Sequence, residues 1–221
     1  MHKTIDFDYF EIKYSDKDIE YIQLIIQELK VKYLDIMKFF NLEKLERKVL
    51  IKFWDNLDEY RNFFNERMKK YNRKVQAWEV GRSTNNSKEC RIDLLCLDEI
   101  RKCQGHQNDT TESLIKLCLH EFVHTCHFAY NGNSESMTWF NEALATNLSN
   151  QYENPYFNCS LEDILNGKAR YVNYYSMGRY LIDNCDKDYI LELAKNKQLL
   201  ENDTTTIYNQ ALQYIGQSRK L

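Results

Sequence analysis

Apolar residues at Ile22, Ile26, Leu29, Tyr33, Met37 and Phe40 recur every three or four positions. That is the period of an amphipathic helix, sustained over roughly five turns. Just upstream, Ser15 with Asp18 three residues on has the form of a capping box. Lys48 to Trp54 is a short apolar run that predicts a strand, and residues from about 57 to 70 predict a second helix. Val75 to Val80 and Arg91 to Leu97 predict two more strands, with the polar, Asn- and Ser-rich stretch Gly81 to Glu89 turning between them. Beyond a polar loop at 102–109 the pattern is helical throughout. It predicts helices over 111–130 and 139–151, a short one after Ser160, another from near Asn173, and two more to close the chain. Strands confined to the first part and helices to the second predict an α+β fold. No repeat, low-complexity tract or linker divides the chain, so one domain is expected over 1–221, with a helix-plus-sheet part (1–109) and a helical part (110–221).

Composition narrows the classes. A single Pro among 221 residues favours long uninterrupted helices, and 14% aromatic residues supply a core too large for a disordered chain. A net charge of −3 and the lack of a basic run argue against nucleic acid as a partner. No apolar stretch approaches bilayer-spanning length, so no membrane is expected. Met1 to Phe10 carries acidic residues and no apolar core, unlike a secretory signal. Seven Cys, an odd number with no C-x-x-C pair, read as reduced thiols, with Cys118 and Cys126 as small buried residues. The expected address is cytoplasmic.

The chemistry concentrates at His120-Glu121-Phe122-Val123-His124, an H-E-x-x-H motif within a predicted helix. Positions i and i+4 lie on one helix face, so both imidazoles can aim at one ion about 2 Å away. Glu121, beside the first ligand, can reach a metal-bound water and take its proton as that water attacks a carbonyl. A catalytic zinc site needs three protein ligands and one open position. Six residues after His124, where one family of such enzymes has a third His, stands Tyr130. His127 is too far along the axis from His120 to complete the set and is expected on the helix surface or behind the site. The other candidate is Glu142, in Trp139-Phe140-Asn141-Glu142-Ala143-Leu144-Ala145, on a second helix after a turn at Asn131 to Ser134.

Together, His120 to His124 and Trp139 to Ala145 resemble the gluzincins, the thermolysin-like and M1-aminopeptidase-like metallopeptidases, whose second motif commonly reads W-L-N-E-G-x-A. Seventeen residues separate His124 from Glu142, close to the spacing of that family. The resemblance covers about Val75 to Cys185. It implies a thermolysin-like catalytic domain, Zn2+ held by His120, His124 and Glu142, Glu121 as general base, and a peptide or protein substrate. Tyr171-Val172-Asn173-Tyr174-Tyr175-Ser176-Met177-Gly178 resembles the Y-x-K-G segment, whose Tyr donates a hydrogen bond to the oxyanion. The matching position is Tyr175, with Tyr174 the alternative, and the same aromatic spacing also suits a helix core.

The departures carry meaning too. Thr146 stands where thermolysin-like enzymes often place an Asp that orients a ligand His. The G-x-M-E-N segment that holds a free substrate N-terminus is absent, and Gln76 to Gly81 offers only Glu79. Endopeptidase action is therefore expected over aminopeptidase action, with the peptide extended along an edge strand at Val75 to Val80. Two rival classes remain. One is a non-catalytic zinc module that kept the peptidase fold, against which Glu121 argues, because a closed structural site has no use for a base. The other is a metal-free helical interaction protein.

Overall fold

The computed structural model describes residues 2–86, 88–132 and 136–218. Strands β1 (His2–Phe7), β2 (Phe10–Ser15), β3 (Val49–Trp54), β4 (Gly81–Asn85) and β5 (Cys90–Leu95) form one mixed sheet in the order β1-β2-β3-β5-β4. The central strands β2, β3 and β5 are parallel, and each outer strand is antiparallel to its neighbour. The helices are α1 (Ile19–Phe39), α2 (Leu57–Met68), α3 (Leu97–Ile100), α4 (Thr111–Asn131), α5 (Thr138–Leu148), α6 (Leu161–Leu165), α7 (Tyr171–Asn184), α8 (Lys187–Lys195) and α9 (Lys197–Ser218). A mixed sheet followed by helices is an α+β architecture, as the pattern predicts. Two compact units emerge, Met1–Leu34 with Lys44–Thr125, and Asp35–Glu43 with Cys126–Leu221. The division falls within α4 and not at the polar loop before it.

In the first unit, Phe10, Ile12 and Tyr14 alternate along β2 and are buried. Phe10 meets Tyr33 of α1 edge-on and Phe122 of α4 at 5.2 Å, so both helices cover the same face of β2. Trp54, one residue past Phe53 and hence on the opposite face, packs on Tyr60 and Phe63 of α2. Asp93 is fully buried on β5, and its charge is answered by the Arg91 guanidinium and by Trp54 Nε1 donating at 2.8 Å. Burial of this kind is tolerated only with such partners.

Four local expectations are corrected. Ser15 caps a 3₁₀ turn at Asp16–Asp18, but its side chain makes no capping bond. The full capping box stands at Ser160 and Asp163, opening α6. The hairpin β1–β2 goes unannounced by the pattern because its turn, Asp8-Tyr9, lacks a Gly or Asn-Gly signature. Asp8 supplies the positive φ of 43° instead. Residues 75–80, expected as the edge strand, are irregular. Asn65 Oδ1 accepts from the Val75 N–H at 2.8 Å, and Gln76 O accepts from the Glu79 N–H at 3.1 Å, bonds that replace a ladder. The edge strand is β4, inside the stretch expected to turn. The turn expected at Asn131 to Ser134 falls partly on residues 133 and 134, which lie outside the described residues.

In the second unit, α5 and α7 pack so closely that a Cβ on Gly178 would come within 2.6 Å of the Ala143 carbonyl oxygen and 2.5 Å of Asn147 Nδ2. The Asn147 amide bridges the pair, donating to Ala143 O and to Tyr175 O at 2.8 Å each. Ser176 and Asn173 on α7 accept backbone N–H groups of Tyr156 and Asn158 at 2.8 and 2.9 Å, which ties the connection after α5 to α7. Gly178→Ala should therefore lower the melting temperature by an overpacking cost of about 1–3 kcal/mol. Helix propensity alone would raise it, since Ala is favoured over Gly by about 1 kcal/mol in a helix interior. Chemical denaturation decides the sign.

Candidate metal centre

α4 carries His120 and His124 one turn apart, with His120 only 4% exposed. Their Nε2 atoms stand 3.0 Å from each other, and the rings meet nearly at right angles. Two nitrogens sharing one ion at about 2.0–2.1 Å in a tetrahedral site stand about 3.3 Å apart, so the imidazoles are already close to ligating distance. Glu142 on α5 completes the group: one ligand atom from each of His120, His124 and Glu142 lies within 4.8 Å of the others. The structure thus brings together the three residues the sequence singles out, close enough to bind one metal ion.

Glu121 is 7% exposed and lies in the first unit near Tyr60 and Cys118. Burial pushes the Tyr60 phenol well up, and the carboxylates of Glu79 and Glu121 push it further. The Cys118 thiol is also pushed up by burial, with Glu121 adding to the shift. Burial thus works against a thiolate at Cys118. No disulfide joins the seven Cys.

β4 runs beside α4 in the same direction. A Cβ on Gly81 would lie 3.4 Å from Leu117, and Asn85 Nδ2 donates to Thr125 Oγ1 at 3.4 Å, so the two histidines fall between the ends of the strand. His127 is not on the surface. It is 3% exposed, with its ring stacked on Phe40 at 5.6 Å and edge-on to Phe140. Thr146, in the place of the orienting Asp, turns back onto its own helix, donating to Glu142 O at 2.6 Å or Ala143 O at 3.2 Å.

The tyrosines divide. Tyr175 is 5% exposed and donates to the Glu153 carbonyl at 3.4 Å. Burial pushes its phenol up, Arg179 works against that shift, and Asp183 and Glu153 add to it. Glu142 instead raises Tyr174, where burial is the larger cause, and Tyr152, whose burial is partly offset by Arg170. Sequence reasoning passes over Tyr152, because one Tyr among 16 carries no signal until the fold sets it near Glu142. Glu79, the candidate holder of a substrate amino group, is ion-paired to Arg82 at 2.7 Å with its side chain 11% exposed.

Comparison with protein-family models, with curated proteins and with solved structures returned no match. The site therefore rests on its own geometry. Among the described residues, no helix is long and apolar enough to cross a membrane.

Metal analysis of purified protein checks the ligand set. About one equivalent per chain is expected, the stoichiometry of a single three-ligand site. Glu142→Ala should lose most of the metal and His127→Ala should keep it. Equal metal in wild type and Glu142→Ala would remove Glu142 from the set.

Proposed function

We propose that this chain is a zinc-dependent peptidase of the gluzincin kind. The observation that carries the reading is the convergence of His120, His124 and Glu142 with Glu121 next to the first ligand. Nitrogen and carboxylate donors in the ratio two to one suit zinc, and three protein ligands leave a position open for chemistry. A mixed sheet with an antiparallel outer strand beside the H-E-x-x-H helix supports a thermolysin-like arrangement.

Zinc bound there supplies Lewis acidity and brings a water's pKa towards neutrality. The chain does the rest. A peptide pairs along the open edge of β4, which takes the role expected of Val75 to Val80. Glu121 accepts the proton of the attacking water as its oxygen bonds to the scissile carbonyl carbon, and returns that proton to the leaving nitrogen as the C–N bond breaks. Tyr175 is proposed as the donor to the oxyanion, exchanging its long bond to Glu153 for that contact. Tyr174 is the alternative, supported by its nearness to Glu142. Endopeptidase action is favoured, because the Arg82 pairing leaves Glu79 poorly placed to hold a free amino group. Seven Cys outside any disulfide fit a reducing compartment such as the cytoplasm.

Hydrolysis of a peptide library by zinc-loaded protein, followed by mass spectrometry, tests the reading. Glu121→Gln should abolish cleavage while retaining zinc and thermal stability. Tyr175→Phe should cost about a hundredfold or more in turnover, the typical price of one oxyanion donor. If Tyr174→Phe shows that loss and Tyr175→Phe does not, the role passes to Tyr174. Wild type as inert as Glu121→Gln on every peptide would favour the non-catalytic zinc module.

A further inference from the structure

The first unit contains a groove of about 810 Å³ between the last turn of α2 and residues 72–82. Its size falls in the upper part of the range of ~300–1,000 Å³ that holds drug-sized ligands, room for more than one side chain. Local bonds shape this open groove. Asn72, at φ 53°, reverses the chain after α2, and the Asn65–Val75 bond clamps the returning segment to the helix. Arg82 on β4 is fixed at the wall by Glu79, and its guanidinium lies 5.4 Å from the Phe64 ring centroid.

The charge in the groove is one-sided. Lys69, Arg73, Lys74 and Arg82 line it against Glu66 and Glu79. Both acids are taken, Glu66 by Lys69 at 3.8 Å and Glu79 by Arg82 at 2.7 Å. Among the described residues Arg73 and Lys74 form no ion pair, so two cations stay uncompensated in a chain whose net charge is −3. Trp78, 48% exposed, offers an apolar surface beside them. A concave wall with two free cations and an indole selects carboxylates carried on a flexible chain.

The groove also lies at one end of the edge strand. Arg82, the second residue of β4, belongs to both. The histidines fall between the levels of Gly81 and Asn85 along β4, so a peptide cut there reaches Arg82 within a few residues. An added strand antiparallel to β4 runs from Asn85 towards Gly81, so the residues entering the groove are those after the scissile bond. We propose that this groove binds carboxylate-bearing residues of a peptide, on the C-terminal side of the bond that is cut. The placement relative to the cut rests on the peptidase reading; the binding of carboxylates does not.

Two measurements test it. In the first, fluorescein-labelled, C-terminally amidated hexaglutamate is titrated with wild type and with Arg73→Glu/Lys74→Glu, using fluorescence anisotropy at low and high salt. Wild type should bind, with affinity falling as salt rises, and the charge-reversed protein should bind at least tenfold more weakly at unchanged melting temperature. Hexaglutamine with a free C-terminal carboxylate, set against its amide, shows whether a terminal carboxylate suffices. Equal affinity of both proteins for hexaglutamate, or no binding to wild type, overturns the proposal even if wild type cleaves other peptides. In the second, library peptides with Glu or Gln two to five residues after the cut are compared. The cleavage ratio, Glu over Gln, should exceed one for wild type and fall at least tenfold in the charge-reversed protein. An unchanged ratio overturns the placement. Charge-dependent hexaglutamate binding by a protein that cleaves nothing would sustain the carboxylate site and sink the peptidase reading instead.

Discussion

Two imidazole nitrogens held 3.0 Å apart on adjacent turns of one helix are the constraint around which the site is organised. An α-helix sets their spacing without help from any loop, because i and i+4 share a face. Their orientation needs more. His120 is 4% exposed, and its helix is packed onto the sheet through Phe122, which meets Phe10 of β2. Phe10 in turn meets Tyr33 of α1. Substituting a large buried ring such as Phe10 would leave a cavity under the helix that carries both histidines, a typical loss of about 3–5 kcal/mol. Site and core are therefore one problem in the first unit.

The third residue of the group depends on a different contact. Glu142 sits on α5, and the position of α5 against α7 is set where Gly178 lets two backbones approach and Asn147 bridges them with one amide. Each of these residues has a packing reason to be what it is. Gly178 also ends the segment that resembles Y-x-K-G, so part of that likeness has a structural cause independent of catalysis. The same holds for Ser176 and Asn173, whose side chains receive backbone groups from the connection after α5.

Legibility in the sequence follows the range of the interactions involved. The helical half was readable because apolar periodicity is local: α1, α2, α4, α5 and α7 fall close to where spacing puts them. His120 and His124 share a face by the same local rule, and Glu142 was a candidate on the next helix that a resemblance between motifs singled out. The sheet edges were not. β4, Gly-Arg-Ser-Thr-Asn, has the composition of a turn, and only pairing with β5 makes it a strand. Val75 to Val80 carries apolar residues, yet hydrogen bonds from Asn65 and within its own turn keep it from pairing. His127 shows the same limit from the other side. Nothing in its neighbours along the chain says that Phe40, some ninety positions away, will stack on its ring.

Two carboxylates stand near the histidines in different positions. Glu142 places an oxygen within 4.8 Å of a ring nitrogen of each histidine. Glu121 follows His120 by one residue, about 100° around the helix, which sets it beside the face that the two histidines share. It points towards the first unit's interior edge, where Tyr60 and Cys118 feel its field. Burying a carboxylate as deeply as Glu121, which is 7% exposed, carries a desolvation cost. A divalent ion held on the adjacent face would offset that cost and would give the same carboxylate a proton to accept. On the proposed peptidase reading, that burial suits a base whose partner charge comes with the metal.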